Sequence, residues 1–300
     1  MIPNNNLSVL PWYTSIDQQN ARKWWVYGRV YPLFTPAGYL LPWQLITPHS
    51  NLTVQNIRPV LLYNATTGEQ VGGDYTDVFR PMITKVEFAS LGYDVWVFGG
   101  QFPVFTSMLN GQYYMMLVLD RPYYSEIFTV VNDIEPYLKI EWWDIENFTM
   151  DAGTIVYKYA GGTQFKNVLY LHSDIAKPEY PFEEEGETRD GYFFPIKQIS
   201  EKHYRFMFLA SEYLLDVMRF IRMADYAYIT KNGQEYKLDT FLITPDWEDN
   251  GDVASVEAEF DTATVAKKIG RGSWTHIEPV GPNGDFNNDF NNDFNNQQSQ

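Results

Sequence analysis

The feature that most constrains this chain is a succession of short aromatic and β-branched runs broken by glycine and proline. The runs are Trp24–Tyr31, Tyr39–Ile46, Ile57–Tyr63, Ile83–Phe88, Asp94–Phe98, Tyr113–Leu119, Ile127–Val131, Leu138–Trp143, Thr154–Tyr159 and Phe165–His172. Gly72-Gly73, Gly99-Gly100, Asn110-Gly111 and Gly161-Gly162 punctuate them. Short strands at this spacing predict a sandwich or barrel. No helical period of useful length precedes residue 200. The expected fold is mainly β: a sandwich- or barrel-like body over 24–175 and a smaller α+β unit over 192–278.

The α+β unit is read from local pattern. Tyr204, Phe206 and Phe208 share one face of a strand. Ser211 stands where a helix cap is needed, and Glu212 suits the positive end of the first turn. Leu214, Leu215, Met218, Ile221 and Arg222 follow at helical spacing. Asn232-Gly233 predicts a tight hairpin, because both residues accept positive φ. Val256, Ala258 and Phe260 then alternate with Glu257 and Glu259. The spacing thus predicts strand, helix, hairpin and strand.

Between the two units, residues 176–191 hold prolines and the acids Glu183, Glu184, Glu185, Glu187 and Asp190. They read as a solvated linker loop. Residues 1–23 read as an irregular polar arm that needs a partner to hold it. Residues 279–300 carry Asp-Phe-Asn-Asn three times, placing Phe286, Phe290 and Phe294 four residues apart. Such a polar repeat cannot bury a core.

Composition narrows function. The net charge of −16 argues against a nucleic-acid partner, which needs a basic surface. No run approaches the length of a membrane span, and the first 15 residues lack a secretory pattern, so no membrane insertion and a cytoplasmic origin are expected. Without cysteine there is no disulfide, thiolate metal site or cysteine nucleophile. The histidines, His49, His172, His203 and His276, form no metal-binding pair, and no nucleophile elbow or phosphate loop is present. No catalytic residue, cofactor or metal is expected. A weak calcium pattern runs through Asp246, Glu248, Asn250 and Glu257, but flanking strands and Glu at its third position depart from a calcium loop. Aromatic residues make up 17% of the chain, a composition that suits both strands and protein interfaces. In Trp24-Trp25 and Trp142-Trp143 one ring of each pair faces outward, as an interface or a sugar platform.

Three segments carry a resemblance. They are Tyr123–Phe128, Phe182–Pro195, and Tyr204–Val217 running on to Glu259–Lys268. Together they resemble structural proteins of the tail modules of tailed bacteriophages and prophages. The resemblance implies an oligomeric virion component near the tail end, hub or baseplate, made in the host cytoplasm. Its partners would be itself and other virion proteins, with a host-surface glycan or receptor as a further contact. Expected contact residues are Trp25, Trp143, Glu184, Arg189, Phe286, Phe290 and Phe294. A carbohydrate-binding or adhesin module is the alternative. More remote is a glycoside hydrolase, which would need two carboxylates facing each other across a cleft.

Overall fold

The computed structural model describes residues 8–16, 33–99, 110–144, 148–149, 155–156, 165–247, 253–262 and 266–269. The fold is mainly β with two short α-helices among these residues. The first strands are β1 (Trp12–Tyr13), β2 (Leu33–Pro36), β3 (Trp43–Pro48) and β4 (Val60–Asn64), followed by helix α1 (Thr76–Phe79). Next come β5 (Ile83–Phe88), β6 (Tyr93–Phe98), β7 (Gly111–Val118), β8 (Pro122–Ser125), β9 (Phe128–Val131) and β10 (Tyr137–Trp143). Then follow β11 (Phe148–Thr149), β12 (Ile155–Val156), β13 (Asn167–His172), β14 (Phe182–Arg189), β15 (Tyr192–Ser200) and β16 (His203–Ser211). After helix α2 (Glu212–Met218) the chain ends its described part with β17 (Tyr226–Lys231), β18 (Gln234–Lys237), β19 (Leu242–Trp247), β20 (Val253–Asp261) and β21 (Ala266–Ile269).

Two compact units result. The larger holds Met1–Tyr180 with Glu201–Thr264, and the smaller holds Pro181–Ser200 with Val265–Gln300. This division differs from the expected one. The segment read as a linker loop contains β14, and β17 pairs with β10 across the expected boundary. Pairing between distant strands leaves no mark in local composition, so the α+β pattern, though present element by element, does not make a separate unit.

The larger unit is built on a ten-stranded sheet of order β1-β8-β7-β9-β2-β13-β10-β17-β18, with β4 also on β7. Its pairings are antiparallel except β2 with β9. Two three-stranded sheets, β3-β6-β5 and β16-β20-β19, and the two-stranded β11-β12 also belong to this unit. Leu138, Ile140 and Trp142 of β10, Trp43 of β3, Trp96 and Phe98 of β6, and Phe206, Val256 and Phe260 of β16 and β20 enter one continuous core. A second cluster, Ile46, Tyr93, Val95, Val97 and Phe165, covers the other side of β6. That strand is therefore buried on both faces, which explains its nearly unbroken apolar sequence.

Helix α2 begins after Ser211 as expected, but the serine is buried and its side chain makes no cap bond. Tyr213, Leu214, Leu215, Val217 and Met218 are buried, while Arg222 is exposed. Asn232 and Gly233 adopt φ of 51° and 77° and close the β17–β18 hairpin.

The N-terminal arm departs from expectation where it is described. Ser8, Val9, Leu10, Trp12 and Tyr13 are all buried. Strand β1 pairs with β8, Gln44 N donates to Ser8 Oγ, and Tyr13 OH donates to buried Glu126 Oε2 at 2.7 Å. The chain's own body holds this segment, and no neighbouring subunit is needed. Apolar Val9, Leu10 and Trp12 outweigh the surrounding asparagine and proline.

Candidate functional site

The smaller unit gathers exposed apolar side chains on two paired strands. Its sheet has the order β14-β15-β21. Asp190 and Gly191, with φ of 51° and 83°, make the tight turn that joins β14 to β15, and Arg189 pairs with Tyr192 at its base. An Asp-Gly pair is a strong hairpin signal, and the acidic run before it obscures it in sequence. Every side chain of β14 from Phe182 to Thr188 is exposed. Phe182 is 58% exposed, Tyr192 73%, Phe193 51% and Ile196 48%. Tyr192 and Phe193 are adjacent on one strand, so apolar groups stand on both faces. A β-bulge lies where Glu185 pairs with Lys197 but Gly186 pairs with Pro195.

Polar contacts join β14 to β15 across the hairpin. Gln198 Nε2 donates to Glu184, and Lys197 Nζ lies 3.8 Å from Glu185. The expected contact residues Glu184 and Arg189 thus share one strand. Sequence reasoning did not single out Phe182, Tyr192, Phe193 and Ile196 as exposed apolar residues, because the linker reading gave them no strand to stand on.

A second surface lies on the larger unit around Trp143. As alternation requires, Trp142 is buried and Trp143 faces the other way. Trp143 stacks on Tyr226 and on Tyr228, each with ring centroids 5.3 Å away, and Lys166 Nζ lies 4.2 Å over its ring. The Trp143 ring is already engaged by its own chain. Nearby, Lys139 pairs with Glu141 at 2.7 Å, and Tyr39 lies edge-on to Tyr170. Burial, with the Glu141 charge adding to it, pushes the Tyr170 hydroxyl up to about 12. Burial also raises Asp144, against the backbone N–H of Asp225 that donates to it.

The remaining expectations separate. Trp25, Phe286, Phe290 and Phe294 lie outside the described residues, as do Glu248 and Asn250 of the calcium pattern. Asp246 pairs with Ser255 and Glu257 with Thr244, on antiparallel strands. Glu257 also lies 3.9 Å from Arg205. The first and twelfth positions of the pattern are therefore on paired strands. Among the described residues no group of three or more His, Asp or Glu is placed to hold a metal ion.

His49 Nδ1 lies 2.7 Å from buried Asp94, which also accepts from Ser50 N and lies 3.0 Å from Lys85 Nζ. Burial alone would raise Asp94, but these donors and the Lys85 charge outweigh it and hold the carboxyl below its usual range. His203 pairs with Asp261 at 2.9 Å. His172 rests edge-on against Tyr137. A cleft of about 390 Å³ is lined by Phe34, Leu171, His172, Met207, Leu209 and Ser255, and no carboxylate is among its described lining residues. Among the described residues no helix is long and apolar enough to cross a membrane.

No protein-family model matches the chain, and no curated protein matches it.

Proposed function

We propose that this chain is a non-catalytic structural protein that works by contact, a subunit of a virion assembly of the phage tail kind. The observation that carries the reading is the smaller unit's sheet, which displays Phe182, Tyr192, Phe193 and Ile196 on two paired strands. Exposed apolar groups gathered on one small element mark a surface that a partner covers. The tail-module resemblance, which includes Phe182–Pro195, supports the same reading. On it, the chain is made in a host cytoplasm and ends in the virion, with other copies and other virion proteins as partners.

The glycan-binding alternative draws on the half-exposed Trp143. Sugar platforms offer a free ring face, whereas Trp143 is stacked on two tyrosines and capped by Lys166. The hydrolase alternative lacks support in the cleft, whose described lining carries no acid pair.

The test is incorporation. Particles are purified from cells that produce the chain, and its stoichiometry is measured by mass spectrometry. The wild-type chain is expected at a fixed ratio. The variant Phe182→Ser/Tyr192→Ser/Phe193→Ser should be lost from particles while the larger unit melts unchanged. Absence of the wild-type chain from particles, or micromolar glycan binding by a monomer, would overturn the proposal.

A further inference from the structure

The two outer strands of the smaller unit's sheet differ in charge. Strand β14 carries Glu183, Glu184, Glu185 and Glu187, and β21 carries Lys267 and Lys268. Neither has a second strand partner among the described residues. These positions also stand level in the backbone register. Glu183 pairs with Ile199, which pairs with Lys267; Glu184 pairs with Gln198, which pairs with Lys268. These two central rows therefore begin at an acid and end at a base, between the rows Phe182–Ser200–Ala266 and Glu185–Lys197–Ile269. Because β14 and β21 are both antiparallel to β15, they run parallel to each other.

We infer that the partner of this sheet is a second copy of the chain, joined head to tail, with β14 of one copy beside β21 of the next. An unpaired strand edge is a template for another strand. Like charges decide which strand fits. Two β14 edges would oppose acid to acid, and two β21 edges base to base, so two-fold pairing of like edges is disfavoured. Only β14 against β21 matches, and with no vertical shift Lys267 meets Glu183 and Lys268 meets Glu184. Such a contact is heterologous, so each copy keeps one edge of each kind for the next. The exposed Phe182, on β14 itself, would lie beside the added strand. This inference rests on the contact function proposed above and names its partner.

The test is self-association of the purified full chain, by sedimentation velocity over a concentration series. At the two matched rows, Glu183→Lys/Glu184→Lys makes both edges basic, and Lys267→Glu/Lys268→Glu makes both acidic. Each alone is expected to weaken association by about tenfold or more. Mixing the two variants should restore it, because every contact is again acid to base, and combining all four changes in one chain should restore it too. Restoration separates lost contact from lost folding. Salt gives a readout without any variant: association of the wild type should weaken at about 0.5 M NaCl, where screening is strong. A wild type that stays monomeric, indifference to either charge change or to salt, or failure of the mixture to recover would each overturn the head-to-tail pairing. A monomer that still enters particles would sink this inference and leave the proposed function standing. A self-associating chain absent from particles would do the reverse.

Discussion

Strands β6 and β14 are both paired in antiparallel sheets, yet they live in opposite surroundings. All six residues of β6 are buried, while β14 exposes Phe182 to Thr188. Their backbone hydrogen bonds are of the same kind, so the ladder is not what separates them. The difference is the apolar surface each hides. Trp96, Phe98, Val95 and Val97 sit between two clusters, and burying a large apolar side chain is worth roughly 1.5–3 kcal/mol. In β14 the described side chains forgo that gain. A small sheet is marginal in water when its faces stay open, so β6 belongs to a unit that carries its own stability, and on the proposed reading β14 belongs to one that a partner completes.

The sharpest way to break the comparison is one matched pair of truncations. Trp96→Ala should cost about 3–5 kcal/mol in urea unfolding, while Phe193→Ala should stay within about 0.5 kcal/mol. Similar costs at both sites would mean the small sheet is as dependent on packing as the core. Next in size is Asp94→Ala, which leaves Lys85 beside an empty buried site and should cost about 3 kcal/mol. The depressed Asp94 carboxyl fixes the sign of its pH dependence. Its contribution is full above the ordinary value of 3.8 and is lost as pH falls through the lower folded value. The alanine variant should show a shallower acid limb in the same urea series.

Tyr13→Phe tests the edge of the core. It removes the hydroxyl that donates to buried Glu126 and should cost about 1.5 kcal/mol. Hydrogen exchange at residues 8–13 is expected to speed up more than exchange in β6. Smallest for the body is Gly191→Ala. Its φ of 83° disfavours a side chain by roughly 1–2 kcal/mol locally. The β14–β15 cross-peaks in an NMR spectrum should weaken while the melt of the larger unit holds.

What could be read in sequence follows from how local each cause is. Strand β5 spans Ile83–Phe88 as the run predicts, and β20 buries Val256, Ala258 and Phe260 on the expected face. Alternation and turn residues are neighbour-to-neighbour effects, so they show. Strand β8 was hidden by its opening proline and β1 by its two-residue length. Strand β14 was hidden by its glutamates, which read as solvated loop and are solvated, but on a strand. Of the candidate contacts, Glu184 and Arg189 fall on that strand, while the aromatic residues around the turn went unseen because their exposure depends on what the rest of the chain leaves uncovered.

The tie between Tyr13 and Glu126 spans 113 residues. At roughly 5–20 residues per second of synthesis, the partner of this first strand leaves the ribosome about 5–25 seconds after it. For that interval Val9, Leu10 and Trp12 have no native groove to enter. The nascent chain thus carries a sticky segment through that interval, and a chaperone that shields about a dozen residues would raise the yield of folded protein without touching its final stability.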